Sequence, residues 1–249
     1  FDGELAEAVS ALAEAVKGLG AGSDTKAFEA ADEAATAVEE QAGEGEEFTK
    51  SHPATAAKIA AAKRELPAKR AAIAAARLAV DVAKHKAAVE KAAEDAAARV
   101  AALGEGLSPA AVKAAESAVG ALESSVTAGA ELGKKSPAHA KLLATYPKRA
   151  TELRAAIAKK VVEKEIAEHQ GDVTEAVAAV TERLGALGKL EYELYSKAEL
   201  AVAALEKVLS AGEALRERDP SYGKALAAET AKVEGYRITI RTTWIAAAK

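Results

Sequence analysis

Apolar side chains recur along most of the chain at helical spacing, with Lys, Glu and Asp interspersed between them. That is the pattern of an α-helix with one buried stripe and a solvated face. The breaks in it coincide with helix-stop and helix-start residues. Turns are predicted at Ala21-Gly22-Ser23-Asp24, at Gly104-Glu105-Gly106-Leu107-Ser108-Pro109 and at Arg218-Asp219-Pro220. Ser108, Ser136 and Asp219 each precede a proline, the N-cap and first-position pairing that opens a helix. An acidic break is predicted at Gly43-Glu44-Gly45-Glu46-Glu47. Two long helical runs follow, from about Pro53 to Leu103 and from Pro137 to Leu187. Two shorter ones run from about Ser108 to Lys134 and from Leu190 to Arg218. At 1.5 Å per residue these measure about 75 Å and about 40 Å. Pro67 and Pro147 fall inside the long runs and predict a kink or break, and Gly171-Asp172 predicts another.

The punctuation is periodic. Leu19-Gly20, Leu103-Gly104 and Leu187-Gly188 recur at an equal interval, each closing an apolar run. Pro53, Pro137 and Pro220 recur at nearly the same interval. Each proline is followed by an arginine and then an isoleucine at the same offsets: Arg70 and Ile73, Arg154 and Ile157, Arg237 and Ile240. Self-similarity at a fixed interval, here about 84 residues, is the mark of a repeated supersecondary unit. The predicted fold is all-α: an elongated antiparallel bundle of long helices with a three-helix cross-section, spanning 1–249. Its repeat units are placed at 1–84, 85–168 and 169–249. Two packings fit, a row of spectrin-like three-helix units or one extended bundle whose units are segments of long helices.

Composition strengthens the helical reading and thins the core. Half of the 249 residues are hydrophobic, but many are alanine, and only 4% are aromatic. Alanine is the best helix former and its small side chain lets helices approach closely. With no cysteine, disulfides, thiolate nucleophiles and Cys-ligated zinc are excluded. A net charge of −4 argues against nucleic acid as partner. No apolar run reaches the roughly 18 to 20 residues that span a bilayer. The chain opens at Phe1 without methionine, with Asp2 and Glu4 in place of a basic leader, which suggests a trimmed, processed or engineered chain. With no asparagine, no N-glycosylation acceptor exists.

Candidate chemistry is sparse. The histidines are His52, His85, His139 and His169, with His85 and His169 at equivalent positions of the repeat. Glu165 lies one turn before His169, a spacing that can share a metal, but a solvated helix-face pair is the commoner meaning. Neither the Glu-x-x-His of di-iron bundles nor His-Glu-x-x-His occurs. Gly18-Leu19-Gly20-Ala21-Gly22 resembles a phosphate loop only in its glycines and reads as a turn between helices. Glu191-Tyr192-Glu193-Leu194-Tyr195 is the most unusual cluster, and Tyr192 and Tyr195 are the candidate recognition surface. The same tyrosines suit the end of a bundle that alanine cannot fill. Trp244 and Ile245 are expected to pin the terminal helix. No catalytic residue, metal ligand or cofactor site is predicted, and the chain is read as non-enzymatic.

Stretches such as Ala27 to Glu40 and Ala87 to Ala102 have the alanine- and glutamate-rich, cysteine-free character of a known group. In this the chain resembles the glutamic acid/alanine-rich surface proteins of trypanosomes, related in architecture to the variant surface glycoproteins and the haptoglobin-haemoglobin receptor. The resemblance implies an extracellular, cell-surface coat protein or antigen, held by a C-terminal lipid anchor whose hydrophobic signal is not in this sequence. No motif carries a family residue over, and any host or vector ligand is unspecified. A ligand-binding receptor, a lipid-binding bundle and a spectrin-like intracellular spacer remain as other functions.

Overall fold

A heptad-like spacing governs which residues are buried. On α2 (Thr25–Glu44) they are Phe28, Ala31, Ala35, Val38 and Ala42. On α8 (Tyr192–Ala211) they are Tyr195, Ala198, Val202, Leu205 and Leu209. Steps of three and four keep one narrow stripe turned inward. The two sets share the same internal spacing, and at every position the side chain on α8 is as large as its counterpart on α2 or larger.

The computed structural model describes residues 1–104, 107–188 and 191–249, without the side chain of Phe48. Glu105 and Gly106 of one predicted turn, and the Leu190 start of the last short run, lie outside them. Among the described residues the chain is all-α, with no strand. The remaining helices are α1 (Asp2–Gly18), α3 (Pro53–Ala101), α4 (Pro109–Ala128), α5 (Ala130–Lys135), α6 (Pro137–Leu143), α7 (Tyr146–Gly185), α9 (Glu213–Arg218) and α10 (Pro220–Ala247). A short 3-10 turn, Gly45–Phe48, follows α2 at the predicted acidic break.

The caps act where the sequence placed them. Asp24 accepts from the Ala27 amide at 2.9 Å, and Ser108 from that of Ala111 at 3.1 Å. Asp219 accepts from both Ser221 and Tyr222, at 2.8 and 3.0 Å. Breakers behaved unequally. Pro147 sits at the start of α7, just after α6 ends, so a break is found there. Pro67 lies inside α3, which continues through it. Its ring is on an exposed face, where the carbonyl that loses its amide partner is open to water. Likewise α7 runs unbroken through Gly171 and Asp172.

The chain divides into two compact units, one of residues 1–97 and 118–151, the other of 98–117 and 152–249. In the first, Leu5 and Leu12 of α1, the α2 stripe, and Ile59, Ala62, Ile73 and Val80 of α3 form one buried cluster. In the second, Val173 and Val180 of α7, the α8 stripe, and Tyr222, Leu226, Val233 and Ile240 of α10 form another. Burying a side chain such as Leu205 contributes about 1.5–3 kcal/mol, and alanines at the other stripe positions contribute less.

Ion pairs join helices across the surface. Arg70 of α3 pairs with Glu39 of α2, and Arg237 of α10 with Glu206 of α8 at 2.6 Å, at the same sequence separation. The Glu206 carboxylate, with Glu199 nearby, raises the Arg237 pKa above its ordinary value. Arg77 pairs with Asp32 at 2.8 Å and lies over the Phe28 ring. Exposed pairs of this kind contribute little, because water and salt screen them.

Candidate functional site

The two tyrosines of the predicted recognition cluster start α8, one helical turn apart, and have different surroundings. Tyr195 is buried, its ring edge-on to Trp244 of α10 with centroids 4.5 Å apart. Tyr192 is 77% exposed. Both border a groove of about 480 Å³ between α8 and α10, completed by Glu199, Ile240, Arg241 and Trp244. The Tyr195 hydroxyl is buried without a hydrogen-bond partner among the described residues. Its ring therefore supplies volume and an edge-to-face contact, while Tyr192 presents its surface outward. Ile245, expected to pin the terminal helix beside Trp244, is instead exposed. Trp244 alone packs against the core of this unit.

Glu165 and His169 are not the solvated helix-face pair expected, because His169 is buried, and they do not converge on a shared position. Glu165 accepts from Arg218, and both ring nitrogens of His169 are engaged elsewhere. Among the described residues no group of three His, Asp or Glu side chains is placed to hold a metal ion. His52 is exposed, beside the start of α3. The glycine run at 18–22 is the turn between α1 and α2, in which the Gly20 amide donates to Ser23 Oγ at 2.8 Å.

Buried polar chemistry gathers instead where α4 and α8 end. Helix α4 stops at Ala128, and Gly129 (φ −80°, ψ −2°) leads into the short α5. A methyl group at Gly129 would overlap the His85 ring and approach Leu143 Cδ1 to 2.8 Å. His85 Nε2 is 3.0 Å from the Ser125 carbonyl, and His85 Nδ1 is 3.0 Å from His139 Nε2. The two imidazoles meet edge to face at 5.0 Å. A carbonyl only accepts, so His85 carries its hydrogen on Nε2 and its Nδ1 accepts from His139 Nε2–H. His139 is 2% exposed, and its Nδ1 has no hydrogen-bond partner among the described residues. Burial, and then the neighbouring His85, lower the His139 pKa below the ordinary imidazole value.

The second unit contains a closely similar arrangement. Helix α8 stops at Ala211, and Gly212 (φ −82°, ψ −5°) leads into α9. A methyl group at Gly212 would come within 2.6 Å of His169 Cε1 and 2.9 Å of Leu226 Cδ2. His169 Nε2–H donates to the Val208 carbonyl at 2.8 Å, and its Nδ1 accepts from the Tyr222 hydroxyl. Burial and Asp172 raise the Tyr222 pKa. In the first unit a third glycine, Gly45, stands against the Phe1 ring and Ile59. Beside it Asp2 accepts from Thr55 at 3.0 Å and Lys58 at 2.6 Å, and these bonds lower its carboxyl pKa.

Sequence reading matched His85 with His169 but missed His139 and Tyr222, their partners from distant parts of the chain. A signal was present in Gly45, Gly129 and Gly212, which fall at the same interval as Phe1, His85 and His169 to within one residue. No protein-family model matches the chain, and no match was found among curated proteins or solved structures.

Proposed function

We propose that the chain is a non-enzymatic structural protein, a spectrin-like spacer made of three tandem helical units, 1–84, 85–168 and 169–249. One observation carries this reading. Gly45, Gly129 and Gly212 each end a helix against a ring from the start of the unit (Phe1, His85, His169) and an aliphatic side chain that follows the glycine at a constant offset (Ile59, Leu143, Leu226). Further support comes from Ile73, Ile157 and Ile240, all buried, and from the matching Arg70–Glu39 and Arg237–Glu206 pairs. The buried core clusters fall within 1–84 and within 169–249, and most of the remaining surface needs only to be solvated. Interspersed Lys and Glu supply that surface.

Excision of one whole period tests the repeat. Removal of 85–168 would join equivalent positions of the heptad stripe, so a shortened chain with undiminished helicity per residue and a cooperative melt is expected. Removal of half a period, 85–126, is expected to destroy cooperativity. Equal tolerance of both deletions would sink the proposal.

A second reading, a cell-surface coat protein or antigen held by a lipid anchor outside this chain, is supported by the alanine- and glutamate-rich composition. It calls for no pocket and no nucleic-acid partner. Labelling of intact cells separates the two: surface exposure of the native protein favours the coat, and labelling only after permeabilisation favours the intracellular spacer. A recognition role for Tyr192 rests on its exposure beside the α8–α10 groove and would appear as a ligand-dependent rise in melting temperature.

A further inference from the structure

The His85–His139 contact has room for a fixed number of protons. The pair has four ring nitrogens. His85 Nε2 must carry hydrogen to meet the Ser125 carbonyl, and one hydrogen occupies the 3.0 Å contact between the rings. Those two protons make both imidazoles neutral. A third can go only to His139 Nδ1, whichever ring formally holds the charge. That nitrogen is buried and has no acceptor among the described residues. Mild acid therefore creates a buried cation and an unmet donor together, and both disfavour the closed arrangement.

No carboxylate offsets the added charge by direct pairing. The ionisable side chains nearest the pair along these helices are Asp81, Lys84, Lys86 and Glu90 of α3, Glu123 of α4, Glu131, Lys134 and Lys135 of α5, and Lys141 of α6. Lys86 pairs with Glu90 and Lys134 with Glu131, and among the described residues neither imidazole is within ion-pair distance of an acid. The rings meet where α4 turns at Gly129 and where α6 begins at the Ser136 cap. Displacing His85 frees the Gly129 turn, since this ring fills the space that a side chain there would occupy.

We propose that the His85–His139 pair is an acid-sensitive latch in the first compact unit, closing the Gly129 turn onto α3 while it holds two ring protons and releasing it when a third is added. The second unit supplies an internal control. Its His169 faces a phenol, and a hydroxyl oxygen accepts as readily as it donates. Protonation of His169 Nδ1 also adds a charge, but it reverses that hydrogen bond instead of leaving a donor unmet. Tyr222 also borders a groove of about 430 Å³ with Gln170 and Glu229, which offers acceptors for the displaced hydroxyl hydrogen.

The direction follows from linkage. A base that binds its proton less readily when folded stabilises the fold above the ordinary imidazole value, near 6.5, and loses that contribution as pH falls below it. Hydrogen exchange of the full chain at pH 7.5 and 5.0, corrected for intrinsic rates, tests the latch. Amides of residues 118–143 are expected to lose protection by roughly tenfold at pH 5.0, the size an unmet buried donor commands. Amides of 192–226 are expected to hold theirs. His139→Tyr, which copies the phenol of the second unit, is expected to abolish the acid response. An absent response, an equal response in 192–226, or an unchanged response in the variant overturns the proposal. Imidazole nitrogen NMR of the unaltered protein gives a readout independent of the variant. A bare Nδ1 on His139 at neutral pH, with a titration midpoint below the ordinary imidazole value near 6.5, supports the latch. A protonated Nδ1, or a midpoint at or above that value, overturns it.

Discussion

Two glycine-to-alanine changes, one within α4 and one just past its end, are expected to move stability in opposite directions. Gly120 lies within α4 with nothing within 4 Å of where a methyl would stand. Gly120→Ala only reduces the freedom of the unfolded chain and is expected to stabilise by about 0.5–1 kcal/mol. Gly129 has an ordinary helical φ, so its need is for space alone. Its added methyl would meet Leu143 Cδ1 at 2.8 Å and overlap the His85 ring. That ring cannot swing aside without losing its bonds to Ser125 and His139. Two neutral hydrogen bonds at about 1 kcal/mol each put the loss near 2 kcal/mol. The cost of overpacking, about 1–3 kcal/mol, less the helix-propensity gain gives a similar figure. Urea unfolding followed by far-ultraviolet circular dichroism measures both variants. With a slope of about 2–3 kcal/mol/M, the Gly129→Ala midpoint is expected to fall by about 0.7–1 M. The two compact units need not unfold together, so each transition is fitted by itself. His85→Ala should restore room for the methyl, and the double variant is then expected to be more stable than the sum of the two single changes predicts. A Gly129→Ala protein as stable as the parent, or strict additivity in that cycle, refutes the steric account.

Other expectations follow from buried or displaced polar groups. Tyr195→Phe removes a buried hydroxyl that has no partner while keeping the ring against Trp244, so thermal melting should show no loss and up to about 1 kcal/mol gained. Pro67→Ala returns the missing amide to α3 on an exposed face and is expected to stabilise by about 1–3 kcal/mol, read from the same denaturant curves. The Asp2 carboxyl, held below its ordinary pKa by Lys58 and Thr55, stabilises the fold above the unfolded value near 4 and loses that contribution as pH falls through the lower folded one. Acid titration of stability should therefore show a steeper fall below pH 4 in the parent than in Asp2→Asn, and parallel curves would refute that assignment.

Helix ends were legible in the sequence because they depend on neighbours close by along the chain. Ser108, Ser136 and Asp219 cap through local amide geometry that tertiary contacts need not supply, whereas the breaks at Gly129 and Gly212 fall inside the helical runs predicted to Lys134 and Arg218, each glycine giving room to a histidine ring from another helix. Pro147 read correctly for the same reason as the caps. Pro67 did not, because the cost of a proline within a helix can be outweighed by burial of the stripe on either side, here Ile59, Ala62, Ile73 and Val80. Tyr192 and Tyr195 looked alike in sequence. Their separation into an exposed and a buried ring depends on which face of α8 meets Trp244.

The sequence by itself determined that the chain is helical, where its capped helices start, and that no cysteine chemistry is available, since propensity, caps and composition are local properties. It also carried the even spacing of the Leu-Gly and proline landmarks, visible in residues that differ from the alanine background. Only the tertiary structure decided which side chain faces which. His139 and Tyr222 meet their histidines from distant parts of the chain, and no local rule specifies a ring that fills the space beside a glycine on another helix. The proton count at His85 and His139 depends on that juxtaposition, because burial and the absence of an acceptor at Nδ1 arise only when α3, α4 and α6 come together.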